Sequence, residues 1–144
     1  MIVLDVNILL YAYNDAATQH HAARKWLTSI FNGQELIGLP WLTLSAFLRI
    51  STSRRIFPNA LSMEDAIGFA QQWLAVPHVR LLAPGELYWS HLQRAIREGH
   101  VSGPDTTDAE LAALATEKGG VLHTTDRDFA RFPGLRWVNP LEKS

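Results

Sequence analysis

"TTDAELAALATEKGGVLHTTDRDF", residues 106–129, decides how the chain folds. Thr107-Asp108-Ala109-Glu110 has the T-x-x-E form of a capping box and precedes the apolar run Leu111 to Ala115, which predicts a helix start. Gly119-Gly120 ends that helix. Val121-Leu122-His123 follows as a short strand, which runs through two threonines into Asp126, Arg127 and Asp128 before apolar Phe129. A helix closed by glycines and followed at once by a strand is the signature of a crossover between parallel strands. Asp favours turns, but two carboxylates at the end of an apolar strand also suggest a site.

The same alternation runs through the rest of the chain. Ile2-Val3-Leu4 is a short apolar run. Ala23, Trp26, Leu27, Ile30 and Phe31 mark one face of a helix that Gly33 ends. Leu36 to Leu39 reads as a strand stopped by Pro40, and Leu44, Phe47 and Leu48 as a second amphipathic helix. Ser62-Met63-Glu64-Asp65 resembles a helix start, with Ile67, Ala70 and Leu74 inside the helix. Val79 to Leu82 is β-like, Pro84 fits the first turn of a helix carrying Tyr88, Leu92 and Ile96, and Arg136-Trp137-Val138 is a last short strand. The expectation is an α/β sandwich.

A length of 144 residues fits one domain with a real core, and 47 % hydrophobic against 19 % charged residues excludes a disordered chain. No apolar run approaches the roughly 18 residues of a membrane span. "MIVLDVN" carries an acid at position 5 and no basic stretch, so it does not read as a signal peptide. The absence of cysteine rules out disulfides and thiolate metal sites and suits a cytoplasmic location. A net charge of −1 does not advertise a nucleic-acid binder, so any polyanion would be held by a local basic patch or by metal ions.

Asp5 closes the first strand, Asp126 and Asp128 close a late one, and Asp108 opens the helix between strands. In open parallel sheets ligands bind at the carboxyl ends of the strands, and an antiparallel crossover returns a helix start to that edge. Four carboxylates therefore converge on one crevice. Their repulsion is relieved by raised pKa values or by a cation. Oxygen ligands alone select Mg²⁺ or Mn²⁺ over zinc. One water acidified by the metal can attack phosphorus, which points to phosphodiester or phosphate hydrolysis. Each acid also has a structural use: Asp5 as a helix N-cap, Asp108 as a complement to the helix dipole, Asp126 and Asp128 as turn residues, Glu110 as the capping-box partner.

"IVLDVNILLYA", "TTDAELAALA" and "TTDRDFARFPGLRWVNP" together resemble the PIN domain, and more narrowly the VapC-type toxins of toxin–antitoxin modules. "PWLTLSAFLRISTSRRIF" and "LSMEDAIGFAQQWL" resemble one subgroup of them, so the likeness covers essentially the whole chain, as a single PIN domain over 1–144. The resemblance implies a three-layer sandwich with a central parallel sheet of order 3-2-1-4-5 flanked by helices. It implies a Mg²⁺- or Mn²⁺-dependent endoribonuclease, RNA as substrate, a cognate VapB-like antitoxin and a homodimer. The family's metal acids carry over onto Asp5, Asp108 and Asp126, with Asp128 as a further catalytic acid. Asn7 and Thr125 match polar positions that orient those ligands from behind. The sequence departs from the family where a glutamate is expected after the second strand: that position falls at or near Ala46, and no acid occurs from Leu36 to Asn59.

Arg49, Arg54 and Arg55 follow the helix that bears Ala46 and are candidates for RNA phosphates, or cations suited to a helix end. The six histidines show no metal-ligand spacing, and the five tryptophans read as core first, with a dimer face or antitoxin groove as the other use for some. Three functions stay open: an endoribonuclease toxin, a catalytically weakened PIN domain that binds RNA or an antitoxin, and a small-molecule phosphatase using the same metal chemistry.

Overall fold

In the computed structural model, which describes residues 1–142, five strands form one sheet. They are β1 (Ile2–Leu4), β2 (Ile37–Pro40), β3 (Val79–Leu82), β4 (Val121–His123) and β5 (Trp137–Val138). Every pairing is parallel and the order is 3-2-1-4-5, as the resemblance implies. Six helices connect them: α1 (Val6–Tyr13), α2 (His20–Phe31), α3 (Trp41–Ser51), α4 (Met63–Ala75), α5 (Tyr88–Gly99) and α6 (Thr106–Glu117).

Both faces of the sheet are covered, so the central strands are apolar without alternation and every residue of β1 and β2 is buried. Side chains alternate across the sheet. Ile2 and Leu4 pack with Ile8, Leu27, Phe47 and Trp73 from α1 to α4. Val3 and Leu122 point the other way, into a layer with Leu111, Leu114, Phe129 and Phe132. Register places Leu4 opposite His123, so β1 and β4 end side by side.

Local chemistry moves several boundaries from their expected places. Pro40 is the last residue of β2, not a stop before it, and its φ of −64° turns the chain directly into α3. Pro84 lies outside α5. The Glu117 carboxylate accepts from the N–H groups of Gly85 (2.9 Å) and Leu87 (3.0 Å), which holds a turn there and delays the helix to Tyr88. The capping box at Thr107–Glu110 does not form. A 3₁₀ turn at Gly103–Asp105 runs straight into α6, Asp105 sits in helical conformation at the cap position, and no side chain caps the helix. Thr107 is thus already inside the helix and Asp108 is its third residue. Burial, then the charges of Glu110 and Glu117, pushes the Tyr88 hydroxyl up to about 12.

Ser62 does cap α4, accepting from the Asp65 N–H at 3.1 Å. The buried stripe of that helix is Ala66, Ala70 and Trp73, while Ile67 and Leu74 face outward. The tryptophans divide: Trp73 is buried, Trp26 and Trp137 are half-buried, and Trp41 and Trp89 are 52 % and 64 % exposed, so core placement fails for the last two. Among the described residues no helix is long and apolar enough to cross a membrane.

Candidate functional site

β1 delivers its last main-chain bond through Asp5, whose N–H donates to the His123 carbonyl at 3.2 Å. Asp5 is buried, and its Oδ1 accepts from the Val6 N–H at 2.7 Å, so it is the N-cap of α1 as well as a site candidate. Its other oxygen, Oδ2, accepts from the Thr124 hydroxyl at 2.7 Å. Thr124 is fully buried, and its Oγ1 also accepts from the Asp126 N–H at 3.0 Å and from Asn7 Nδ2 at 3.4 Å. A threonine hydroxyl has one donor and two acceptor positions, and all three are used here. One side chain therefore ties Asp5, Asn7 and the backbone of Asp126 together.

Thr125 makes no side-chain hydrogen bond among the described residues; the hydroxyl that bonds Asp5 and the Asp126 N–H is that of Thr124, its neighbour. The pleat explains it: Leu122 and Thr124 are two apart, share a face and are both fully buried, whereas His123 and Thr125 are only half-buried.

Asp126 accepts from the Asp128 N–H at 2.9 Å and caps the 3₁₀ turn Arg127–Arg131. Asp128 follows on the exposed side of that turn. Asp108 lies half-buried in the first turn of α6. Burial, and then the charges of Asp126, Asp5, Asp105 and Asp128, push its carboxyl up to about 6. Burial also raises the Asp5 carboxyl. Its bonds from Thr124 and Val6 work against that rise, and the Asp126 charge adds to it. The acids of β1, β4 and α6 thus feel one another, as the sheet order requires, and Asp105, which the sequence did not single out, joins them.

The chemistry of this donor set suits a hard cation. It is all oxygen, it concentrates negative charge, and it includes Asn7 Oδ1, a buried oxygen without a hydrogen-bond partner among the described residues. Among those residues no three His, Cys, Asp or Glu side chains stand close enough to form a ready-made ligand set. Mg²⁺ tolerates this because it keeps several waters and is held through one or two carboxylates.

Ala46 stands half-buried on α3, three residues after Thr43, whose hydroxyl donates to the Leu4 carbonyl at 2.8 Å beside Asp5. Arg49, Arg54 and Arg55 are exposed and form no ion pair among the described residues. Arg49 lies six residues beyond Thr43, roughly 9 Å further along the helix. His123 stacks on Trp26 at 5.4 Å and serves packing. The cavity between α5, α6 and the turn at 132–135 is lined by His91, Glu98, Ala112, Phe132 and Leu135, and by none of Asp5, Asp108, Asp126 and Asp128.

A family model described as PIN domain matches residues 2–135. Ribonuclease VapC33 of Mycobacterium tuberculosis is 38 % identical over 143 residues, covering 99 % of this chain and 100 % of its own. Ribonuclease VapC37 of the same species is 36 % identical over 140 residues, 97 % of each chain. Among solved structures, VapBC-1 from nontypeable Haemophilus influenzae matches with a TM-score of 0.68 at 18 % identity, over 99 % of this chain and 100 % of that one. Mycobacterium tuberculosis VapC20, described as a sarcin–ricin loop cleaving toxin, matches with a TM-score of 0.65 at 17 % identity, over 94 % and 99 %. The two structures show the shared fold.

Proposed function

The chain belongs to the PIN-domain family, and from that premise we propose that it is a VapC-type endoribonuclease toxin dependent on Mg²⁺ or Mn²⁺. One observation carries the reading: Thr124 fastens Asp5 to the start of the Asp126 turn, with Asp108 beside them, its carboxyl raised to about 6 by burial first and then by the charges of Asp126 and Asp5. Asp5, Asp108 and Asp126 would hold the ion, with Asn7 and Thr124 orienting them. A bound Mg²⁺ supplies neutralisation of the phosphate charge and activation of water for attack at phosphorus.

The chain's own residues then do three things. Thr124 keeps Asp5 turned into the crevice. Asp128, on the exposed rim, adds negative charge to the pocket. Arg49 in the last turn of α3, with Arg54 and Arg55 just beyond the helix, offers cations to RNA phosphates outside the pocket. Structured RNA is the substrate class. A VapB-like antitoxin as partner, a homodimer, a cytoplasmic location and a single PIN domain over 1–144 complete the proposal.

A second reading, a catalytically weakened PIN domain that binds RNA or an antitoxin, is favoured by one observation: no acid stands on α3, where the family's glutamate is expected at or near Ala46. The test is RNA cleavage by the purified protein with Mg²⁺ and with Mn²⁺, beside Asp5→Asn. Asn is as good an N-cap as Asp, so the variant removes charge while keeping α1 capped. Cleavage by the wild type and none by Asp5→Asn supports the nuclease. Absence of cleavage with tight RNA binding establishes the weakened form, and turnover of phosphomonoesters without RNA cleavage establishes a phosphatase.

A further inference from the structure

Arg131 joins two chain segments that each bring an acid to the pocket. Its Nε donates to the Gly99 carbonyl at 2.9 Å, its Nη2 to the His100 carbonyl at 3.2 Å, and its Nη1 to Asp105 Oδ2 at 3.1 Å. Gly99 and His100 are the C-terminal end of α5, where a cation suits the helix dipole and free carbonyls need donors. Asp105 ends the turn that leads into α6 and its Asp108. Arg131 itself ends the turn that begins at Asp126.

A second, independent contact closes the same joint. A Cβ at Gly99 would sit 2.6 Å from the Phe132 ring, so the ring of the residue after Arg131 occupies the space a side chain at 99 would need. His100 then takes a left-handed φ of 52°, unusual for a residue other than glycine, and the fork of Arg131 grips its carbonyl. The joint is therefore packed on one side and hydrogen-bonded on the other.

We infer that Arg131 is a positioning residue: by locking the α5–α6 connection to the turn after β4, it sets Asp108 against Asp126 for cation binding. The inference rests on the metal-dependent reading of the acid site. Arg131 touches neither the cation nor the RNA. Its planar fork makes three separate bonds that a lysine ammonium cannot reproduce together.

The test compares Arg131→Lys, Arg131→Ala and Gly99→Ala with the wild type, with Arg136→Ala as control. Arg136 donates to the Gly119 carbonyl at 2.9 Å, just before β4 and at the opposite end of that strand from Asp126. The readouts are Mn²⁺ affinity by calorimetry, melting temperature, and kcat and KM for RNA as functions of Mg²⁺. Arg131→Ala and Gly99→Ala are expected to weaken Mn²⁺ binding about 10-fold or more, with Arg131→Lys between them and the wild type. Their kcat should recover at saturating Mg²⁺ and their KM for RNA should stay the same. Arg136→Ala should lower the melting temperature without changing Mn²⁺ affinity. Unchanged Mn²⁺ affinity in both Arg131→Lys and Gly99→Ala overturns the inference, as does a raised KM with normal Mn²⁺ affinity, which makes Arg131 an RNA contact. If Arg131→Ala does not fold, the lysine and Gly99 variants decide. Failure of the wild type itself to bind Mn²⁺ overturns the metal-dependent reading instead.

Discussion

Thr124 Oγ1 donates to Asp5 Oδ2 at 2.7 Å across the paired ends of β4 and β1. Its hydroxyl also accepts the Asp126 N–H, so Thr124→Val leaves a buried carboxylate oxygen and a backbone N–H without their partner at once. Such a loss destabilises by about 1–3 kcal/mol. Removing a group that orients a metal ligand lowers metal affinity about 10–100-fold. Thr124→Ser should retain most of both. Thr125→Val should leave Mg²⁺ affinity and melting temperature near wild type. The comparison is made by titrating Mg²⁺ into each purified variant, and the reverse ranking sinks the assignment of this role to Thr124.

Asp108 connects stability to pH. Its folded carboxyl sits at about 6 against an ordinary 3.8. The folded state therefore holds the proton more tightly than the unfolded chain. Stability falls as pH rises from about 4 to about 6 and stays lower above that window. The full shift corresponds to about 3 kcal/mol at most, and solvent screening of a half-exposed group reduces this to about 1 kcal/mol. Asp108→Asn removes the charge, so it should raise the melting temperature by roughly 4 °C at pH 7.5 and leave it unchanged at pH 4, while abolishing cleavage. Mg²⁺ should stabilise the wild type at pH 7.5 and much less at pH 5, where the carboxyl is protonated. Thermal melts at the three pH values, with and without Mg²⁺, check this. Equal melting temperatures for both proteins at pH 7.5 without metal would show that Asp108 carries no such strain.

The sheet was legible because its strands are short apolar runs between helices, and β3 and β4 fall where those runs place them. Strand order came from family resemblance and not from periodicity, which says nothing about which strands are neighbours. Asp5, Asp108 and Asp126 were visible as acids at element ends. Thr124 was not, because two consecutive threonines look alike until the pleat turns one inward. Helix starts failed where a long-range bond competes with a local one. Glu117 lies 30 residues from Leu87 yet sets the entry to α5. The capping-box pattern at Thr107 had no signal to show that a 3₁₀ turn already leads into the helix. Arg131, like Glu117, finds its hydrogen-bond partners about 30 residues away, beyond any local pattern.

The arginines in the last turn of α3 and just beyond it give a salt-dependent test. A triple variant, Arg49→Gln, Arg54→Gln and Arg55→Gln, should raise KM for RNA and leave kcat and Mg²⁺ affinity unchanged. Each phosphate of a single strand that an arginine neutralises adds about 0.7 to the slope of log affinity against log salt, so the variant's slope should be shallower by that amount per arginine engaged. Binding measured across a salt series separates this from a fold defect. An unchanged slope shows that the three are solvated cations serving only the end of α3.

Asp128 and Ala46 stand on different elements, the turn after β4 and helix α3. Asp128 is exposed, its own N–H bound by Asp126, and its carboxylate acts on the pocket only through charge. Asp128→Ala should therefore weaken Mg²⁺ binding by about threefold, the scale of a mostly screened charge, and more at low salt than at high. Ala46 shares a helix face with Thr43, which touches the end of β1 next to Asp5. A glutamate there restores an acid on the wall where the family carries one. Ala46→Glu should tighten Mg²⁺ binding, and in the Asp128→Ala background it should bring affinity back to wild type or beyond. Calorimetric titration of the two single variants and the double variant closes the cycle. If Asp128→Ala alone leaves affinity untouched, Asp128 is only a turn residue. If Ala46→Glu weakens binding while folding normally, the face of α3 does not line the pocket, and the missing glutamate has no bearing on catalysis in this chain.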